Sequence, residues 1–455
     1  MTDVVAALYE ALGDRVDTSP EGLEEARADK SGHRAAGIPL AVVHAESVED
    51  VQATLRIASQ TGTPVVTRGA GTGLAGGANT GAGEIALSTR RMTRILEVSP
   101  DDLLAVVEPG ILNAELNDAL AIQGLWWAPD PASRAISTVG GNIATGAGGL
   151  LCAKYGMVRD AVLGLDLVLA DGRLLTLGHR SVKGVTGLDL TSLVIGSEGI
   201  LGVVVAATLK LRRLVPGEVC TIVATFPDVR AAASAASAVT AAGIQPSIME
   251  LMDAASLHAV HALLELPTPA PGAAQLTLQT DGAASAAEAA AIVEVLENAG
   301  ATVAVTRDSA EAEQLLHIRR SMHPAMERLG TTLIEDVSVP RSRLAEMFDE
   351  IARVERTYGL VIPTVAHAGD GNLHPNFIYP PTADGEVPAV IWEAADDLFT
   401  AALRLGGTLT GEHGIGVLKR RWLADELGAD QWHLQRDIAR VFDPQGILNP
   451  GKIFG

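Results

Sequence analysis

A chain of 455 residues with 47% hydrophobic residues and 47 glycines has enough apolar content for two or three domain cores and enough glycine for many tight loops. Its formal net charge of −21 excludes a nucleic-acid surface, which needs clustered cations for phosphate. Two cysteines, Cys152 and Cys220, are too few for a four-cysteine iron–sulfur cluster or a disulfide framework, so a reducing compartment is expected.

The N-terminal stretch, with Asp3, Glu10 and Asp14, lacks the basic start and apolar run of a signal peptide. Residues 1–35 are expected to form a helical segment ahead of a first domain over 36–215. Helical patterns cover 47–61 and 113–123, the former with Ser47 as N-cap and Asp50 in its first turn. Strands are expected at 64–67, 84–88, 103–108, 163–169 and 203–211, joined by loops dense in Gly, Asn, Thr and Ser. Apolar runs such as 161–170, interrupted by Gly164 and Asp166, are too short to span a bilayer, so a cytoplasmic protein is expected. Near 215–217 the composition changes. A second domain over 216–455 then reads strand (221–226), Ala-rich helix (229–242), strand (248–252), strand (275–280), helix (284–299) and strand (302–306). That βαββαβ order is the ferredoxin-like split motif and suggests a substrate or cap domain. From 311 the chain is more helical and is expected to wrap back onto the first domain.

Residues 64–77 run from a strand into a loop, Arg68-Gly69-Ala70-Gly71-Thr72-Gly73-Leu74-Ala75-Gly76-Gly77. Glycines let backbone N–H groups approach a diphosphate, and Arg68 could add charge. The embedded GxGxxG would mark a nicotinamide site only if it opened a helix; here the loop continues through Gly81 and Gly83 into another strand. A second cluster holds Pro129, Asp130, Ser133, Thr138, Gly140, Gly141, Asn142, Ala144, Thr145, Gly148 and Gly149. A third, at 196–202, holds Glu198, Gly199 and Gly202, with Val203 following. Any one could be ordinary turns; three in one domain suggest a long cofactor lying across several strand ends.

In this order the loops resemble the FAD-binding domain of the vanillyl-alcohol oxidase / p-cresol methylhydroxylase flavoprotein superfamily. The resemblance implies that residues 68–74 hold the FAD diphosphate and that the residues named in the other two clusters line the cofactor. Ile200 stands where a Thr is usual. The first loop lacks the His that carries a covalent flavin in some members, so noncovalent FAD is expected.

The sharpest local pattern is His367-Ala-Gly-Asp370-Gly371-Asn372-Leu-His374-Pro-Asn376. Asp-Gly favours a two-residue hairpin turn, which would set His367 opposite His374 with Cβ atoms about 5 Å apart, suited to one ion. Asn376 would share the face of His374. Farther on, in Gly411-Glu412-His413-Gly414, Glu412 would complete a His₂Glu set with open positions, leaving His413 as a base with an ordinary pKa near ~6.5. Each residue alone also has a structural reading, as a satisfied core histidine or a turn carboxylate.

These motifs resemble the C-terminal domain of FAD-linked D-2-hydroxy-acid dehydrogenases, the group acting on D-lactate, glycolate and D-2-hydroxyglutarate. The resemblance implies a divalent metal, zinc or manganese, on His367, His374 and Glu412, His413 as base and Asn376 at the substrate. It also implies Asn449 and Lys452 near the flavin. Arg319, with Arg320 competing, would hold a carboxylate through a two-pronged fork.

The expected protein is therefore α+β: a FAD-binding domain of the p-cresol methylhydroxylase type, a ferredoxin-like cap and a C-terminal helical segment. It would oxidise a small D-2-hydroxy acid to the 2-oxo acid by metal-assisted proton removal and hydride transfer to flavin N5. Electrons would pass to a diffusing acceptor, a quinone or an electron-transfer flavoprotein. Residues 329–339 contain no Lys or Arg for a second carboxylate, which favours D-lactate or glycolate over D-2-hydroxyglutarate. A homodimer is left open. A metal-dependent hydrolase would use the same His/His/Glu set but leave all three glycine loops idle, and a non-catalytic flavin subunit would have no use for His413.

Overall fold

Short Val-, Ile- and Leu-rich runs in the first half of the chain become strands because branched side chains pack on a pleated surface. In the computed structural model, which describes residues 3–382 and 386–454, these strands build two sheets and a small ribbon. β1 (Val16–Asp17), β2 (Ala41–His44), β3 (Val65–Arg68) and β4 (Ile85–Ser88) form a sheet in the order β1-β2-β4-β3, parallel except for β1. The helix Val48–Thr61 connects β2 to β3. It opens on a reciprocal pair, Ser47 with Asp50, and stops at Gly62, whose left-handed backbone suits glycine.

β5 (Ile95–Ser99), β6 (Leu104–Val107), β8 (Val162–Val168), β9 (Leu174–Gly178) and β10 (Val203–Lys210) form an antiparallel sheet in the order β5-β6-β10-β8-β9, while β7 (Leu125–Trp126) pairs with β11 (Arg212–Arg213). Its core centres on the fully buried Trp127, whose indole N–H donates to Ala161 O at 3.0 Å. Near the C-terminus, residues 447–449 lie along β3: Val65 N–H donates to Ile447 O and Asn449 N–H to Val65 O, both at 2.7 Å.

β12 (Cys220–Phe226), β13 (Ile248–Met252), β14 (Ala274–Thr280) and β15 (Thr302–Thr306) stand in the order β15-β12-β14-β13, the fourth-first-third-second sequence of the ferredoxin-like motif. The helices Val229–Ala241 and Ser285–Asn298 pack on them; buried Ala232, Ala233, Ala235 and Ala236 allow close approach of the first. Two features escape the sequence pattern. A helix, Ala254–Leu263, capped by Asp253 through Ser256 N–H at 2.7 Å, lies between β13 and β14. The sheet also continues, through β16 (Thr331–Ile334), β17 (Val337–Ser338), β18 (Thr364–His367) and β19 (Asn372–Tyr379), in the order β13-β18-β19-β16, with β17 also on β19.

The chain thus divides into two compact units. The first contains Met1–Gly148, Gly156–Leu214 and Glu412–Gly455; the second contains Gly149–Tyr155 and Val215–Gly411.

Candidate functional site

In the first unit the loop after β3 is shaped from beneath. Arg68 is buried and donates to Ala78 O at 3.2 Å and Ala28 O at 2.8 Å, so its charge holds the loop's base. Gly71 has φ +67°, and a Cβ there would stand 2.3 Å from the Arg68 guanidinium. The second cluster is not all loop: Val139–Thr145 is a short helix, capped by Thr138 Oγ1 accepting from Gly141 N–H at 3.2 Å. Gly140 packs so tightly that a Cβ would meet Pro109 Cβ at 2.4 Å. Pro129 O ahead of it accepts from Asn113 Nδ2 at 2.9 Å.

Backbone and side-chain bonds tie the three clusters together. Glu198 N–H donates to Ala144 O at 2.8 Å, and Asn449 Nδ2 donates to Gly77 O at 3.0 Å and Glu198 O at 2.5 Å. Among the described residues, the buried atoms Thr67 Oγ1, Asn142 Nδ2 and Asn449 Oδ1 have no hydrogen-bond partner. Buried polar groups are normally satisfied, so these orphans beside partly exposed glycine loops fit a polar, phosphate-bearing cofactor. A cleft of about 280 Å³ in the same unit is lined by His33, Asn79, Glu84 and Lys452, and burial pushes the Lys452 ammonium below its ordinary pKa.

In the second unit the histidine hairpin has a different register from the two-residue turn expected. His367 pairs with Asn372, and His374 pairs with Val365, so residues 368–371 form a four-residue turn. The slip equals two positions, and side chains alternate with period two, so both histidines keep one face. They meet diagonally, with ring centroids 5.0 Å apart and planes at 83°. Asn376 shares that face by alternation; its amide donates to Pro363 O at 3.0 Å and His374 O at 2.8 Å, bracing β19.

Buried carboxylates stand behind this hairpin. Glu250, directly across from His367 on β13, is 1% exposed; its Oε1 lies 2.7 Å from His367 Nδ1 and its Oε2 2.8 Å from Arg319 Nε. Burial pushes the Glu250 carboxyl up, but His367 and Arg319 together outweigh it and hold it below the ordinary value. Arg320 instead pairs with Glu313 at the surface, which separates the two candidate anchors. Asp336 accepts from Asn372 Nδ2 at 2.5 Å, Thr410 Oγ1 at 2.5 Å and Gly411 N–H at 2.9 Å. Sequence reading gave neither acid a role, although Glu335-Asp336-Val-Ser-Val-Pro340 is part of the resemblance. The available signal for Glu250 was a lone charge inside the apolar run Ile248-Met249-Glu250-Leu251-Met252.

The Asp336 bonds, together with a bridge between Ser338 and Thr408, fix residues 408–411 in the second unit. Gly411 is required there, since a Cβ would come 2.4 Å from Asn372 Nδ2. Glu412 follows by one peptide bond, so chain connectivity holds it near the hairpin. One ligand atom from each of His367, His374 and Glu412 lies within 4.8 Å of the others, a donor set and spacing that fit a divalent metal. His413 Nε2 lies 3.8 Å from Glu412 Oε1. Within the first unit, Glu198 accepts from Ile415 N–H at 2.6 Å and Gly416 N–H at 2.8 Å. Along the chain, Glu412 and His413 thus follow residues bonded to Asp336 and precede residues bonded to Glu198.

Burial pushes the Glu198 carboxyl up to about 7 against the pull of those two N–H groups and Lys419. With an unfolded value near ~4.3, the native state holds this proton the more tightly. Its stabilising contribution is full below that value and is lost as pH rises through about 7. The thermal midpoint of the parent protein is expected to fall from about pH 6 to about pH 8 by more than that of Glu198→Gln, which does not titrate. Parallel pH profiles in scanning calorimetry would contradict this.

Residues 39–178 match the family described as FAD binding domain, and residues 215–453 the family described as FAD linked oxidases, C-terminal domain. The glycolate oxidase subunit GlcD of Bacillus subtilis is 37% identical over 421 residues, covering 92% of this chain and 89% of that protein. The D-lactate dehydrogenase of Archaeoglobus fulgidus is 35% identical over 413 residues, 90% of each chain. The solved structure of p-cresol methylhydroxylase with substrate bound superposes with a TM-score of 0.80 over 99% of this chain and 96% of that one, at 17% identity, a likeness of fold. With both halves matched and relatives of this identity along nine tenths of its length, the chain belongs to the FAD-linked oxidases of the vanillyl-alcohol oxidase / p-cresol methylhydroxylase superfamily.

Proposed function

We propose that this oxidoreductase converts D-lactate or glycolate to the 2-oxo acid, using noncovalent FAD and a divalent metal, zinc or manganese, held by His367, His374 and Glu412. The convergence of those three donors beside the Glu250–Arg319 pair carries the reading. When bound, FAD supplies a two-electron acceptor and the metal a Lewis acid that makes the substrate hydroxyl more acidic. Arg319, ion-paired with Glu250 on its Nε side, offers its terminal Nη pair to the substrate carboxylate. His413 takes the hydroxyl proton. Asn376 holds the strand that carries His374 and lies beside the bound substrate. Ile334 pairs with Asn376 across β16 and β19, an apolar neighbour that favours a monocarboxylate over a dicarboxylate. The relatives named glycolate oxidase and D-lactate dehydrogenase support the same substrate class. Reoxidation by a quinone or an electron-transfer flavoprotein closes the cycle; no helix among the described residues is long and apolar enough to cross a membrane.

The test is an anaerobic absorbance titration of metal-replete protein with D-lactate, glycolate and D-2-hydroxyglutarate. D-Lactate or glycolate is expected to bleach the flavin band, with loss of bleaching on chelation and recovery with zinc or manganese. Bleaching by D-2-hydroxyglutarate alone would overturn the monocarboxylate assignment, and bleaching by none of them the substrate class.

A further inference from the structure

We infer that Glu250 is a positioning residue that fixes the metal ligand His367 and the carboxylate anchor Arg319 relative to one another; this rests on the functional reading above. Three observations carry it. Glu250 is the residue directly opposite His367 on the neighbouring strand, so its side chain is held on the histidine face by backbone register. It is 1% exposed among side chains that are themselves buried or nearly so, His367 at 6% and Arg319 with 12% of its side chain exposed. It divides its two oxygens, Oε1 to His367 Nδ1 at 2.7 Å and Oε2 to Arg319 Nε at 2.8 Å.

The consequences follow from donor chemistry. A carboxylate beside Nδ1 accepts its proton, so the imidazole carries hydrogen on Nδ1 and presents Nε2 with its lone pair. The ion pair at 2.8 Å holds the guanidinium beside Glu250 by charge, although Arg319 Nε and Glu250 Oε2 form no directed hydrogen bond. One rigid acid thereby sets the separation between a metal-binding nitrogen and a carboxylate-binding fork. A 2-hydroxy acid presents its hydroxyl and carboxylate on adjacent carbons, a fixed short separation.

The test compares the parent flavoprotein with Glu250→Gln, which keeps the volume but presents an amide N–H₂ to one of two donors. Zinc affinity is measured by chelator competition, independently of turnover, and is expected to fall by about 10–100-fold. KM for the 2-hydroxy acid is expected to rise, with FAD content near that of the parent and a lower thermal midpoint, because Arg319 loses its buried counter-charge. A variant with unchanged zinc affinity and unchanged KM overturns the inference while leaving the functional reading intact. A parent protein that binds no zinc or manganese overturns both. Should Glu250→Gln fail to fold, the parent itself decides: nitrogen-15 NMR of the His367 imidazole in metal-free protein, assigned with His367→Asn, is expected to show the Nδ1–H tautomer. The Nε2–H tautomer would overturn the inference.

Discussion

His413→Ala is expected to lower kcat by about 10²–10⁴-fold, the usual contribution of a positioned general base, with FAD and metal content unchanged. The side chain is 10% exposed, and along the chain His413 follows residues 410–411, bonded to Asp336, and precedes residues 415–416, bonded to Glu198. Gly414, at φ +83°, gives the backbone its turn directly after the histidine, and a Cβ there would meet Glu198 Oε1 at 2.8 Å. The backbone bonds on either side hold the segment, and the substitution removes the proposed proton acceptor. Steady-state rates against pH, with absorbance for flavin and elemental analysis for metal, check this; unchanged kcat would assign the base elsewhere.

His374→Ala should act differently. It removes one of the three proposed ligands, while the other two donors, His367 and Glu412, stay held by Glu250 and by the chain from Gly411. Retained metal is expected to fall close to zero after dialysis. Substrate-driven flavin reduction should slow by about 10³-fold or more, the several kcal/mol a Lewis acid contributes at about 1.4 kcal/mol per factor of ten. FAD content should remain near the parent's, because the glycine loops and their orphaned polar atoms belong to the first unit. Metal loss therefore separates His374→Ala from His413→Ala. A variant that keeps both metal and rate would remove His374 from the ligand set.

Local chemistry made much of the fold legible. Ser47 and Asp50 begin a helix where the capping pattern places one, and the βαββαβ order follows from alternating apolar strands and Ala-rich helices. The helix Ala254–Leu263 was harder to read because its buried face is narrow, with Leu257 and Val260 fully or nearly buried, and its start rests on Asp253 with Ser256. Val139–Thr145 hid among glycines, whose helix propensity is poor, and is stabilised instead by the Thr138 cap and by contact with Pro109. The expected role of Arg68 depended on loop chemistry alone, whereas its donors reach back to Ala28 and Ala78.

Residue types and their two-residue alternation determined, from sequence alone, the glycine loops, the histidine pair on one face of a hairpin and the carboxylate that follows Gly411. Those features are local, and strand periodicity preserves a face even when the register slips by two. Tertiary structure alone decided the hairpin register, the division of labour between Arg319 and Arg320, and the acids that stand behind the site. Glu250 and His367 are 117 positions apart, and Asp336 and Gly411 are 75 apart. No local pattern encodes such pairings; they form because a buried charge is stable only beside partners that satisfy it, and the sheet order brings those partners together.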